Sequence, residues 1–258
     1  MFEPLRPAGN SFSNLPNWPS LEDYGKLLEG KGMSNAKDLP LRFVAQAAKS
    51  GKPEGKYEAR IYLKGEVQVR SENWHDLFNV LVWLTFPKSK AALNHRHFIA
   101  SEKMIGKGRL NRGPAQDALT LFDEGGVIIA SSDSRLTRML VDFKWKQLFW
   151  ANREAVIAGM RFFLFGHAIY EKALRPFPGV TGRAVIFPVS SDFFSLGIED
   201  QLHMLDERLA QYLGDPQHFN RTAELAPVPV LGVPGWNGEN ERESYYENET
   251  HFRAGRKP

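Results

Sequence analysis

The spacing of apolar residues changes several times along the chain, and each change marks a different element. Across ENWHDLFNVLVWLTFPKSKAALNHRHF, from Glu72 to Phe98, apolar residues recur at helical intervals. With about 100° between successive residues, Leu77, Phe78, Leu81, Leu84 and Thr85 fall within about 80° of Trp74 and form a core stripe. This predicts a helix from about Glu72 to Thr85. Phe86-Pro87 stops it, because proline offers no amide donor and restricts the residue before it. A second helix is expected from Lys88 or Ser89 to about Lys103.

Elsewhere the period shortens to two. YEARIYLKGEVQVR, Tyr57 to Arg70, alternates on either side of Lys64-Gly65 and predicts a β-hairpin. A second hairpin is expected from Ala118 to Phe122 and Val127 to Ala130, turning at Asp123-Glu124-Gly125-Gly126. Leu39 to Lys49 reads as a short helix, Arg183 to Val189 as a strand, and Ile198 to Leu213 as an amphipathic helix closed by Gly214. Asp133 or Ser134 caps a helix reaching about Leu148, and Asn152 opens another to Leu174, along which Gly159 and Gly166 share a face.

The flanks differ in composition. Residues 1–40 are rich in Pro, Gly and Asn yet carry Phe2, Leu5, Phe12, Leu15 and Trp18, too apolar for a free linker, so a segment that wraps the domain is expected. Residues 226–258 read as an extended, Pro-rich tail docked through Trp236, Tyr245, Tyr246 and Phe252. Between them, residues 41–225 form the core. The expected fold is therefore α+β, a mainly helical single domain with two β-hairpins and extended Pro-rich terminal segments. At 258 residues and 42% hydrophobic, the chain can bury a sizeable core.

Charge and cysteine content narrow the chemistry. Thirty-three basic side chains against 30 acidic ones leave a net charge of +3, which solubility alone explains, so nucleic-acid binding is allowed but not indicated. The absence of Cys removes disulfides, thiolate nucleophiles and Cys-based metal sites. Any metal, and a divalent ion is the natural one, must then use His, Asp, Glu or Asn. The first 20 residues lack the pattern of a secretory signal and no apolar stretch reaches the ~20 residues that span a bilayer. A cytoplasmic, soluble protein without a membrane partner is expected.

The polar residues of the Glu72–Thr85 segment stand out. His75, Asn79 and Asp76 fall near 100°, 140° and 200° on the same wheel, about the sector that Val82, Phe86 and Trp83 also occupy. A surface face would not alternate in that way, so the helix is expected to be buried nearly all round, with its polar groups turned inward. Beyond the proline, Lys90, Asn94 and His97 line one side of the next helix at i, i+4 and i+7. The corner brings two polar sets face to face. His75 or His97 then serves as a general base, Asp76 as its orienting group or a metal ligand, and Asn79 and Asn94 as donors to an oxyanion. The structural alternative is equally concrete: Asn73 and Asp76 form a helix cap and paired Asn residues tie a helix corner.

Other groups carry less. His167 and Glu171, at i and i+4, make a His-carboxylate couple or half a metal site, and a local hydrogen bond explains them as well. Asp123 and Glu124 sit where turns commonly place acids. Lys107, Arg109 and Arg112 form a basic loop without a phosphate-binding pattern, and His95 and His97 diverge too far on a helix to chelate. A ββα metal nuclease needs a His on or after its first strand, and Tyr57 to Arg70 contains none.

The run ENWHDLFNVLVWLTFPKSKAALN, followed in order by DALTLFDEGG, FLFGHAIYEKAL and PVLGVPGW, resembles an uncharacterised bacterial family known only as a domain of unknown function, best represented in proteobacteria. The likeness covers about Tyr57 to Phe252. It brings no catalytic residues with it. Three readings stand at this point: a hydrolase or other acid/base enzyme using His75, Asp76, Asn79, Asn94 and His97, a module holding a small polar ligand, and a structural protein whose polar cluster locks the corner. A metal-dependent nuclease is a minority alternative.

Overall fold

The computed structural model describes residues 1–46, 57–106, 108 and 111–255. Its helices are α1 (Arg6–Gly9), α2 (Leu21–Leu28), α3 (Tyr57–Lys64), α4 (Trp74–Thr85), α5 (Pro87–Gly106), α6 (Pro114–Gly125), α7 (Ser134–Val141), α8 (Arg153–Gly159), α9 (His167–Ala173) and α10 (Ile198–Gly214). Its strands are β1 (Arg42–Ala45), β2 (Glu66–Val69), β3 (Gly126–Ser131), β4 (Met160–Leu164), β5 (Thr181–Pro188) and β6 (Ala226–Pro229). The fold is α+β and mainly helical, with two small sheets. No helix among the described residues is long and apolar enough to cross a membrane. Two compact units divide the chain: a helical unit of Phe2–Thr120 with Leu202–Glu224, and a sheet unit of Leu121–Gln201 with Leu225–Pro258 and Met1.

In the helical unit, the expected break at Phe86-Pro87 separates α4 from α5. Asn73 caps α4 by accepting the Asp76 amide at 3.1 Å, and Leu77 to Leu84 are buried without interruption, as the mixed apolar and polar wheel requires. The start of α5 is capped from a distance. Pro87 fills the first position, where a missing amide is harmless. The next two amides, of Lys88 and Ser89, donate to Asp206 of α10 at 3.0 and 2.8 Å, and the Ser89 hydroxyl returns a bond to the Asp206 carbonyl at 2.9 Å. Burial pushes the Asp206 carboxyl above its ordinary range, against the pull of those amides. Asp206→Ala is expected to lower stability by about 2 kcal/mol, the upper range for a lost helix cap, and Asp206→Asn by less. Urea midpoints at pH 7 measure both.

The hairpin expected over Tyr57–Arg70 does not form. Its first half is helix α3, in which Ile61 is the buried contact. Gly65, at φ +69°, is a left-handed helix terminator whose amide donates to the Ile61 carbonyl at 2.9 Å. Only the second half alternates as a strand, and β2 pairs in parallel with β1, Arg42 opposite Glu66. Accordingly, the helix expected over Leu39–Lys49 is a strand at Arg42–Ala45; residues 47–49 lie outside the described residues. A stretch of seven residues satisfies either period, and the long-range partner decides. The N-terminal segment is likewise built of short helical turns and α2, not extended chain.

The sheet unit holds the order β4-β3-β5-β6, with β3 parallel to β5 and antiparallel to β4, and β5 antiparallel to β6. Central β3, GVIIAS, is buried along its whole length, which suits a continuous apolar run. The second expected hairpin is also absent. Ala118, Leu119 and Phe122, all fully buried, share one face of α6, and Asp123-Glu124-Gly125 is the last turn of that helix. The single helix expected from Asn152 to Leu174 is instead α8, β4 and α9, so Gly159 closes one helix and Gly166 precedes another. The C-terminal residues add β6 and a set of tight turns. There Asn240 donates to the carbonyls of Leu231 and Val233 at 2.9 and 2.7 Å, and Trp145 donates to the Arg253 carbonyl at 2.8 Å.

Candidate functional site

Within the helical unit, the polar faces of α3, α4 and α5 meet. Lys90, buried on α5, donates to Asn79 Oδ1 at 3.0 Å and lies 5.4 Å from the Trp83 ring centre; Asn79 Nδ2 donates to the Tyr57 hydroxyl at 2.6 Å. One turn on, the Asn94 amide donates to the Glu58 carbonyl at 2.9 Å and carboxylate at 2.6 Å. Asp76 is held by Arg70, which donates its backbone amide at 2.7 Å and its guanidinium at 2.7 and 2.8 Å. Burial pushes the Asp76 carboxyl up, but these bonds and the nearby His75 hold it below its ordinary value. His75 is half-buried at the start of α4, and buried His97 makes no hydrogen bond among the described residues. The corner therefore joins Asn79 to Lys90 and Tyr57, and Asn94 to Glu58. It spends the Asp76 hydrogen bonds on Arg70, with His75 contributing through charge.

A second constellation lies wholly in the sheet unit. The last turn of α6 carries Asp123 and Glu124, and α9 opens with His167. His167 Nδ1 lies 3.8 Å from Asp123 Oδ2, and His167 Nε2 lies 3.8 Å from Glu124 Oε1. His167 and Asp123 are buried, whereas the Glu124 side chain is 43% exposed, so the imidazole has an inner carboxylate on one nitrogen and a solvent-reached one on the other.

Glycines create this approach. Chain continuing from β4 returns to the start of β3, where Phe165 and Gly166 both donate to the Gly126 carbonyl, at 2.9 and 3.0 Å. A Cβ on Gly166 would stand 2.4 Å from the amide nitrogens of Gly125 and Gly126 and 2.5 Å from the Glu124 carbonyl carbon. Only a residue without a side chain lets the backbones come this near. The segment is fixed from below by Phe165 stacked on Phe122, 4.9 Å between centres, and by buried Tyr170, whose hydroxyl donates to the Leu164 carbonyl at 2.7 Å.

At 3.8 Å neither carboxylate is within hydrogen-bond distance of the ring, so the arrangement places charge beside the imidazole; drawing either carboxylate in would give the pairing used both for activating water and for binding a cation. Besides Glu171 on its own helix, which the i, i+4 spacing singled out, His167 has two carboxylates of α6 beside it, which that spacing did not predict. The signal was present: Asp123-Glu124 precedes a Gly-Gly pair, and His167 follows a glycine, the positions where backbone can approach backbone. The basic loop lies partly outside the described residues, which include neither Lys107 nor Arg109.

No curated protein and no solved structure matches the chain. One family model does, over residues 41–256, a span that includes the His75, Asp123-Glu124 and His167 segments. The chain belongs to the family described as Protein of unknown function (DUF3025).

Proposed function

We propose that the chain is a hydrolase of small polar molecules, working in the cytoplasm, whose reaction centre is Asp123, Glu124 and His167. The observation that carries this reading is a buried imidazole with a carboxylate 3.8 Å from each ring nitrogen. With no cysteine in the sequence, water is the simplest nucleophile. Its oxygen bonds to the electrophilic carbon or phosphorus of the substrate, its proton passes to the centre, and the leaving group departs with a proton. Asp123 orients the ring, and the Nε2 and Glu124 edge is where water is activated.

The α3–α4–α5 corner supports a different role. Both ends of the Asn79 amide and both oxygens of Asp76 are already engaged by neighbours, which favours a structural tie over a ligand pocket.

A panel of chromogenic carboxylic esters, phosphomonoesters and phosphodiesters tests the proposal. His167→Gln and Glu124→Gln are each expected to reduce turnover by about 100-fold or more, while Asn79→Ala lowers stability by about 1–2 kcal/mol and leaves turnover near that of the unsubstituted protein. Full activity in His167→Gln, or no turnover on the whole panel, counts against the reading. Cleavage confined to phosphodiesters would move it to the nuclease alternative.

A further inference from the structure

We infer that the outer edge of this constellation is a binding site for a divalent transition-metal ion, with His167 Nε2 and Glu124 as two of its ligands and Asp123 as the group that orients the imidazole from behind. The inference rests on the reading above for its location. Two atoms bound to one ion at about 2.1 Å lie about 3–4 Å apart, and Nε2 and Oε1 are separated by 3.8 Å. A shift of a few tenths of an ångström in the Glu124 side chain, which is 43% exposed, closes the remaining gap.

The inner half of the site has the form that metal-binding histidines usually take. A ligating imidazole donates its second nitrogen to a carboxylate or carbonyl, which fixes the ring and makes the ligating nitrogen more basic. Asp123 is the buried carboxylate nearest that second nitrogen, 3.8 Å away and just beyond hydrogen-bond distance, so a small inward shift would complete this pairing. Gly166 holds the two segments together through backbone, so the His167 and Glu124 Cα positions are set before any ion arrives. A mixed nitrogen and oxygen donor set favours zinc, manganese or iron over magnesium and calcium, which prefer oxygen alone. Such an ion lowers the pKa of its bound water towards neutrality, which would supply the hydroxide that the proposed hydrolysis needs.

The full chain, stripped with chelator, is titrated with Zn²⁺ and Mn²⁺, with Mg²⁺ for comparison, following bound ion by calorimetry. One transition-metal ion per chain is expected. Glu124→Gln should weaken it at least tenfold, Asp123→Asn by about 10- to 100-fold, and His167→Gln should remove it. His203→Gln, which deletes an exposed imidazole 3.5 Å from Glu207, should leave it unchanged. Absence of binding, or binding that survives both Glu124→Gln and His167→Gln, overturns the inference. If His167→Gln does not fold, Glu124→Gln alone decides, since its side chain is 43% exposed and the substitution keeps its shape. His167-dependent turnover without ion binding would sink the metal site and leave the hydrolase reading standing; ion binding without turnover would do the reverse.

Discussion

Gly166→Ala is expected to destabilise the protein by about 3 kcal/mol or more, the upper end for overpacking, and to abolish the turnover proposed for the His167 centre. The cause is space alone. Gly166 has φ −64° and ψ 123°, a conformation any residue adopts. Its added Cβ, however, would lie 2.4–2.5 Å from three backbone atoms of residues 124–126, none of which can swing aside as a side-chain tip does. Relief requires the β4–α9 connection to lift away from the end of α6. That movement breaks the Phe165 and Gly166 bonds to Gly126 and carries His167 from its carboxylates. Gly214→Ala is the control, because a Cβ there meets nothing within 4 Å. Urea unfolding of both variants, beside turnover, reads the effect. A Gly166→Ala protein as stable as its parent would disprove the account.

The second large effect is a loss of stability in mild acid through His251. This side chain is buried in the C-terminal turns, where its Nδ1 accepts the Gly179 amide at 2.8 Å. Burial pushes its pKa down from 6.5 to about 4. Protonation would both charge a buried ring and turn the Nδ1 acceptor into a donor facing an N–H. The unfolded chain takes up a proton near pH 6.5, whereas the folded chain refuses it until about pH 4. The full contribution is therefore present above pH 6.5 and is lost as pH falls towards 4, by about 3–4 kcal/mol in total at about 1.4 kcal/mol per unit. Asn in place of His251 keeps an acceptor for Gly179 but cannot titrate. Urea midpoints from pH 7 to 4.5 should fall more steeply for the parent than for His251→Asn, and parallel slopes would exclude this histidine as the cause.

Much of the helical unit was legible from the chain. The α4 and α5 boundaries follow from Asn73 and Pro87, and the burial of α4 on nearly every side follows from His75, Asn79, Val82 and Trp83 sharing one sector of the wheel. Lys90, Asn94 and His97 do form a buried stripe on α5. What their partners are was not legible: Tyr57 and Glu58 bond to Asn79 and Asn94 from a helix that the alternation of YEARIYL disguised as a strand. The same ambiguity hid the His167 centre, because a hairpin through Asp123-Glu124 would have left both acids at a solvent-exposed turn.

The sequence by itself determined the mixed, mainly helical class, the helix stops at proline and glycine, and the exclusion of cysteine chemistry, because each depends on residues within a turn or two of one another. Only the tertiary structure decided that Asp206 caps α5, that β2 pairs with β1, and that the end of α6 meets the start of α9. Those outcomes depend on which distant backbone can come close. At Gly166 that closeness is governed by a missing side chain, a condition that no local period records.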